Sequence, residues 1–482
     1  MRTRSLRLNW MASTIGIVCL TLLVTSCDRV PERAGLEGFE PALPFVVSDT
    51  ARLDAVIVSP LSDYIFRSSE MGGGLPFFST GLPKATIAEH AALVDILRRD
   101  GVRVIAVQEA LDSAVRNARA EGALEGWIRQ TFPATADQIV ERLDEVDGAG
   151  LLTMRTDQFY RQNADGLLDP LFPGRSSIYW TRDFAAVMPG GVIIGNSDNG
   201  NRVLEKNFAR LMFGYADGLR EVPILFDAQE EGLTLDGGDM IVLSENELLL
   251  GVGNRSSRAA APLLARRLNM DIYAVAMPPS DRRSGLQRQL LHLDSIFNIV
   301  DTDVAVAVPF FLEKAYSDSN PMAAVLEGLA AQMERLRELG SGRDGDPGIR
   351  PGDPNALRNT VEVMPEIGWV TRYEAGTGEE RELELKLVDF LRERGFRIVF
   401  VGGEQGDLPL AQYTVERAMY ELRWQGSNVV QLGPGRVIAF EQNEHTNNAL
   451  RAAGIEVHTF PGQSLSMRNG GPHCLLMPVV RR

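Results

Sequence analysis

From Leu53 onward the chain sets short apolar runs against polar breaks, and the runs come in a repeating order. Leu53 to Val58 reads as a strand. Ile87, Ala91, Val94 and Leu97 recur at helical spacing, Gly101 closes that helix, and Val102 to Val107 reads as another strand. From about Gln108 to Gly174 the pattern is helical throughout, with Thr135 and Gln138 spaced as a capped start, which predicts a helical insertion over 108–174. Beyond it, hairpin, helix and strand follow one another repeatedly. Hairpins are predicted over Phe184 to Gly195, Met240 to Gly251, Ile296 to Val308 and Val429 to Phe440. The accompanying helices start near Asn201, Ser256, Glu382 and Thr446, and the closing strands are Val222 to Phe226, Asp271 to Ala276, Arg397 to Val401 and Ile455 to Phe460. Residues 340–356, rich in Gly, Pro and Asp, predict a surface loop that delays the return of the fourth unit. Counting the Leu53 region, about five units result. Units of this kind need neighbours to cover their apolar faces, so a ring of five would close the set. Periodicity leaves an open α/β sheet as the alternative.

The amino terminus follows a different pattern. Arg2, Arg4 and Arg7 precede an apolar stretch from about Trp10 to Val24, which ends in Val24-Thr25-Ser26-Cys27. That order reads as a secretory signal of the lipoprotein kind over 1–26, with Cys27 lipidated after cleavage; an uncleaved signal anchor is the alternative. Either places the body outside the cytoplasm, lipid-anchored or anchored by the signal at a bacterial membrane. Residues 27–50 are polar with three prolines and read as a tether, leaving 51–482 as the catalytic body. The formal charge of −15 argues against nucleic acid and against a polybasic hold on anionic lipid. Homo-oligomer formation stays open. Three cysteines are present, Cys19, Cys27 and Cys474. With the first two in the signal, Cys474 is the single free thiol of the mature chain, either a small buried hydrophobe or a reactive group.

Candidate chemistry falls at the joints just before the hairpins. Thr181-Arg182-Asp183 opens the second unit, Asp236-Gly237-Gly238-Asp239 the third, and His292-Leu293-Asp294 the fourth, while Cys474 follows the fifth. Equivalent positions in a ring converge, which would gather a thiol, an imidazole and several carboxylates. That set suits a guanidinium: carboxylates accept its paired N–H groups, and a thiolate attacks its weakly electrophilic carbon. A histidine then serves as proton donor and acceptor. Singly, each motif has a plainer reading: a turn for Asp-Gly-Gly-Asp, a core histidine for His292, a structural ion pair for Arg182 and Asp183. His90, His445, His458 and His473 carry less weight. No metal-ligand spacing is present.

These residues resemble the arginine deiminase family, within the guanidino-group-modifying (pentein) superfamily. The resemblance is carried by Phe440-Glu-Gln-Asn-Glu-His-Thr-Asn-Asn-Ala-Leu-Arg-Ala-Ala-Gly-Ile-Glu-Val457, Gly470-Gly471-Pro472-His473-Cys474, Trp180-Thr181-Arg182-Asp183 and His292-Leu293-Asp294-Ser295. It implies an α/β fold, a five-bladed α/β propeller with a helical insertion after the first blade, and no metal or organic cofactor. It further implies Cys474 as nucleophile, His292 as general acid/base, and Asp183 and Asp294 as guanidinium holders. Asp236 stands in the place of a family glutamate, with Asp239, Arg255 and Arg468 as further substrate-binding positions. The implied reaction turns L-arginine and water into L-citrulline and ammonia through a cysteine amidino-thioether. Three departures bear on the substrate: Asp236 is one methylene short and resembles the Asp-Gly-Gly-Asp of dimethylarginine hydrolases. Ser177 stands for an asparagine, and Asn469 for an arginine. Dimethylarginine hydrolase, amidinotransferase and a catalytically silent guanidine-binding lipoprotein are the alternatives.

Overall fold

The computed structural model describes residues 35–43, 45–59, 83–153, 160–162, 165–166, 168–170, 178–197, 202, 204–278, 290–340, 354–467 and 470–482. Its strands are β1 (Leu53–Val58), β2 (Arg103–Ala106), β3 (Tyr160–Gln162), β4 (Leu168–Pro170), β5 (Ala185–Met188), β6 (Gly191–Ile194) and β7 (Ile224–Asp227). They continue with β8 (Met240–Ser244), β9 (Glu247–Val252), β10 (Asp271–Ala276), β11 (Phe297–Asp301), β12 (Val304–Ala307), β13 (Trp369–Tyr373) and β14 (Glu380–Lys386). The last five are β15 (Arg397–Phe400), β16 (Val430–Gly433), β17 (Arg436–Phe440), β18 (Glu456–Phe460) and β19 (Leu476–Arg481).

One pairing order recurs. An antiparallel pair is followed by a parallel third strand in β5-β6-β7, β8-β9-β10, β11-β12-β15 and β16-β17-β18. A tight turn can join the antiparallel partners, whereas the parallel step needs a crossover, and helices such as Ala260–Leu268 and Glu444–Ala452 supply it. The remaining sheet obeys the same order by joining the two chain ends. β19 pairs antiparallel with β1, which runs parallel to β2. Cys474 therefore opens the first unit, where the sequence had placed it after the fifth.

The sheets are covered on both faces. Along β8–β10, Ile241, Leu249 and Val275 face one apolar core, while Val242, Leu250 and Ala274 face another. Successive side chains of a strand point to opposite faces, so near-continuous apolar runs such as Leu248-Leu249-Leu250 mark strands buried twice. Each sheet thus needs a neighbour on either side.

Several expectations change. The insertion is helical over Val107–Ala120, Leu124–Thr131, Ala136–Val140 and Gly148–Thr153, but β3 and β4 form a hairpin across Asp165-Gly166. Asp-Gly is a turn signal that the helical reading overlooked. Glu380–Lys386 is a strand, and the helix waits until Leu387. Glu-Leu-Glu-Leu-Lys alternates as an edge strand does, with Leu383 and Leu385 half-buried between exposed glutamates. In the expected 340–356 loop, Pro354 opens a helix running to Val363, where proline is favoured at a first turn, and 341–353 lie outside the described residues. The expected tether is packed from residue 35 on. Leu36, Phe39, Phe45 and Val46 are buried, and Val46 bridges Arg481. Its prolines masked these apolar anchors. The expected signal over 1–26 and Cys27 lie outside the described residues, among which no helix is long and apolar enough to cross a membrane.

Candidate active site

Five joints, each just before a strand pair, build one buried cluster. Asp183 sits in the turn Thr181–Phe184 before β5, and Asp236 precedes the turn Gly237–Asp239 before β8. His292 precedes the turn Leu293–Ser295 before β11, and Cys474 lies in the turn His473–Leu475 before β19. Asn428 stands two residues before β16. A short turn ahead of a strand aims its side chain across the strand ends, which is why chemistry collects there. The joints touch: a Cβ at Gly238 would lie 2.7 Å from His292 Nδ1, so the Asp-Gly-Gly-Asp spacing serves close approach. The same holds at Gly471, where a Cβ would lie 2.6 Å from that of Asn428.

The Cys474 thiol is buried, 3.6 Å from Asp294 Oδ2. His473 Nδ1 donates to that oxygen at 2.9 Å, and Asn428 Nδ2 donates to the sulphur at 3.3 Å. Burial, Asp294 and Asp183 push the thiol pKa well above its ordinary value. Burial and the Arg182 charge lower that of His473, so its ring is neutral and Asp294 accepts from Nδ1–H. Asp294 is held below the usual carboxylate range: burial opposes this, and the hydrogen bond from His473, with the positive charges of His292 and Arg182, outweighs it.

His292 Nε2 lies 3.0 Å from Asp236 Oδ2, and its Nδ1 3.6 Å from Asp183 Oδ1. Burial works against the imidazolium, yet Asp183, Asp236 and Asp239 raise its pKa to about 9. Asp236 moves the other way, below its ordinary value, as the His292 bond and Arg202 overcome burial. Arg255 Nη1 reaches Asp236 Oδ2 at 3.7 Å and donates to Ser197 Oγ at 3.2 Å. Arg202, which the sequence did not mark, donates to Asp183 Oδ2 at 2.7 Å and pairs with Glu205.

The structure thus brings together Cys474, Asp294, His292, Asp236, Asp183 and Arg255. Asp239 differs from expectation: Leu293 N–H and Ser256 O–H donate to its two oxygens at 2.9 and 2.6 Å. It ties the third joint to the fourth, and burial raises its pKa to about 7. Arg468, Asn469 and Ser177 lie outside the described residues. His473, set aside in the sequence, proves to be part of the cluster, as does Asn428. The joint rule applied to the fifth hairpin would have found Asn428; nothing around Arg202 marks it. Arg182 is buried and bonded to Gly237 O, Met240 O and Asp49, which anchors the joint beneath Asp183. No group of three His, Cys, Asp or Glu residues able to hold a metal occurs among the described residues.

Chemically, the cluster offers a free thiol, a protonated imidazole, and two buried carboxylate oxygens, Asp183 Oδ1 and Asp294 Oδ1, without a hydrogen-bond partner. Buried acceptors are normally satisfied, so these two call for a donor-rich cation.

The chain is similar to several known proteins. Residues 134–325 and 357–481, the larger part of the chain, match the family description "Arginine deiminase". The arginine deiminase of Rhodococcus erythropolis is 25% identical over 465 residues, covering 90% of this chain and 97% of that one. That of Listeria welshimeri is 28% identical over 322 residues, 65% of this chain and 63% of that one. The solved structure of an amidinotransferase of saxitoxin biosynthesis from Microseira wollei covers 91% of this chain and 97% of its own, at 15% identity and a TM-score of 0.45. By the extent of the family match, the chain belongs to the arginine deiminase family, hydrolases acting on the C–N bonds of amidines.

Proposed function

We propose that the protein is a guanidino-group hydrolase that converts L-arginine and water to L-citrulline and ammonia. The observation that carries this reading is the pair of carboxylate oxygens without a hydrogen-bond partner, Asp183 Oδ1 and Asp294 Oδ1, buried around the Cys474 thiol. A guanidinium would satisfy both and bring positive charge to the sulphur, which favours the thiolate. As the cation binds, the Cys474 thiol loses its proton to solvent, and the thiolate Sγ bonds to the guanidinium carbon, opening its C=N double bond to a tetrahedral adduct. His292, protonated at neutral pH, gives its proton to the leaving nitrogen, which departs as ammonia. Water adds to the amidino-thioether, neutral His292 takes a proton from it, and the S–C bond breaks to release the ureido product. Arg255, which lies beside Asp236, is suited to a substrate carboxylate, while Arg202 is held by Asp183 and Glu205.

The five sheets of one pairing order support a five-bladed propeller in which the joints ring the site. The amino-terminal pattern supports an export signal and a lipidated Cys27, hence an extracytoplasmic, membrane-tethered enzyme. Radiolabelled palmitate incorporated by the wild type and by Cys27→Ser alike would refute lipidation at Cys27.

The deciding assay gives the full-length protein in detergent, beside Cys474→Ser, L-arginine, methylated arginines and agmatine, with ureido product and ammonia followed. Arginine turnover lost in Cys474→Ser is the expected result. Turnover of methylated arginine alone would transfer the reading to a dimethylarginine hydrolase, and no turnover of any of them would refute it.

A further inference from the structure

We propose that Asn428 is a catalytic residue: its carboxamide donates a hydrogen bond to the Cys474 thiolate while its oxygen fixes the turn that carries the nucleophile. The inference rests on Cys474 being the nucleophile. Asn428 is buried, and its Oδ1 accepts from the backbone N–H groups of His473 at 2.9 Å and Cys474 at 3.3 Å. Nδ2 donates to the Asp294 carbonyl at 3.0 Å and to Cys474 Sγ at 3.3 Å. All of these partners sit in the fourth and first joints, so one amide locks both together.

The orientation of the amide is decided by its partners. Turned over, the NH₂ group would face two N–H donors, and the oxygen would face a carbonyl and the sulphur. An N–H is therefore aimed at the sulphur permanently. The other side chains facing Sγ do not help a thiolate. Asp294 and Asp183 are anionic and oppose it, and His473 is neutral. Arg182 is committed to Asp49 and two backbone carbonyls. The Gly471 backbone gives one further favourable contact. A fixed amide donor acts whenever sulphur carries charge, before attack and again when the thioether breaks and the thiolate leaves. The bound cation cannot serve the second event alone, because the product it becomes is an uncharged ureido group.

Asn428→Asp tests this. It keeps the shape and one oxygen for the two backbone N–H groups, but sets a second oxygen against the sulphur. In the full-length protein, Cys474 alkylation by iodoacetamide is followed by intact mass from pH 6 to pH 10, beside arginine turnover and thermal melting. The expected result is a profile displaced to higher pH, with alkylation at pH 7 down roughly tenfold for each unit of displacement and recovered at high pH. kcat should fall more than KM rises. A folded Asn428→Asp whose alkylation profile superposes on that of the wild type overturns the proposal. Should Asn428→Asp melt below the assay temperature, Asn428→Ala, which adds no charge, is read by the same criterion. Wild-type protein that alkylates at Cys474 but turns over no arginine refutes the arginine reading and leaves the Asn428 comparison standing.

Discussion

At the scale of single residues, the site is an arrangement of charges set against burial. His292 stays protonated to about pH 9 because carboxylates surround it, with Asp236 Oδ2 at 3.0 Å from its Nε2. A group raised in this way holds its proton until the pH passes the raised value, so the reaction step that needs the acid form fails above it. Asp236→Asn removes one of those charges. The alkaline limb of kcat/KM should then move to lower pH, with a loss of roughly tenfold at pH 8, measured as initial rates across pH. An unchanged alkaline limb would mean that His292 is not the acid. Asp183, Asp236, His292, Asp294 and Cys474 were legible because each breaks an apolar run at a joint. Asn428 occupies the same kind of place, yet Ser427-Asn428 reads as an ordinary turn until its four partners are known.

At the scale of elements, the short helix Gln463–Ser466 leads towards the turn that carries Cys474. The N–H groups of Ser464 and Leu465 donate to Glu89 at 3.0 and 2.8 Å. Glu89 belongs to the helix Pro83–Arg99, far away in sequence. A four-residue helix has no stability of its own, so this carboxylate is its cap. Glu89→Ala should cost about 1–2 kcal/mol, read from urea denaturation. It should lower turnover at temperatures below the melt as the turn loosens. Edge strands were the elements hardest to read. In Glu380–Lys386 alternation over the last five residues competes with a charge pattern that also suits a helix, and pairing with β13 decides the matter.

At the scale of the whole molecule, the chain ends are joined. β19 closes on β1, and the segment ahead of β1 lays Val46 beside Arg481 and buries Asp49 between β8 and the second joint. Protein lacking residues 1–34 gives the reference melting temperature of the body. Removing residues 1–50 should lower it sharply, because Leu36, Phe39, Phe45 and Val46 lose their cover, at about 1.5–3 kcal/mol for each large side chain. It also strips Arg182 and Arg481 of the Asp49 carboxylate. Equal melting curves for the two truncations would refute a structural role for this segment.

Local pattern determined much of this protein. Strand alternation, helical spacing and turn residues act over a few neighbours, so the units, their order and the positions of the reactive joints are written along the chain. The motifs at those joints also sufficed to identify the family. Tertiary structure alone decided which group each reactive side chain meets. It withdrew Asp239 to a structural tie, placed His473 against Asp294, paired Arg202 with Asp183, and made Cys474 the opening of the first unit. These contacts join residues that are far apart in the sequence, where no local period reaches. The pKa of each group then follows from burial and charge, which exist only once the chain has closed on itself.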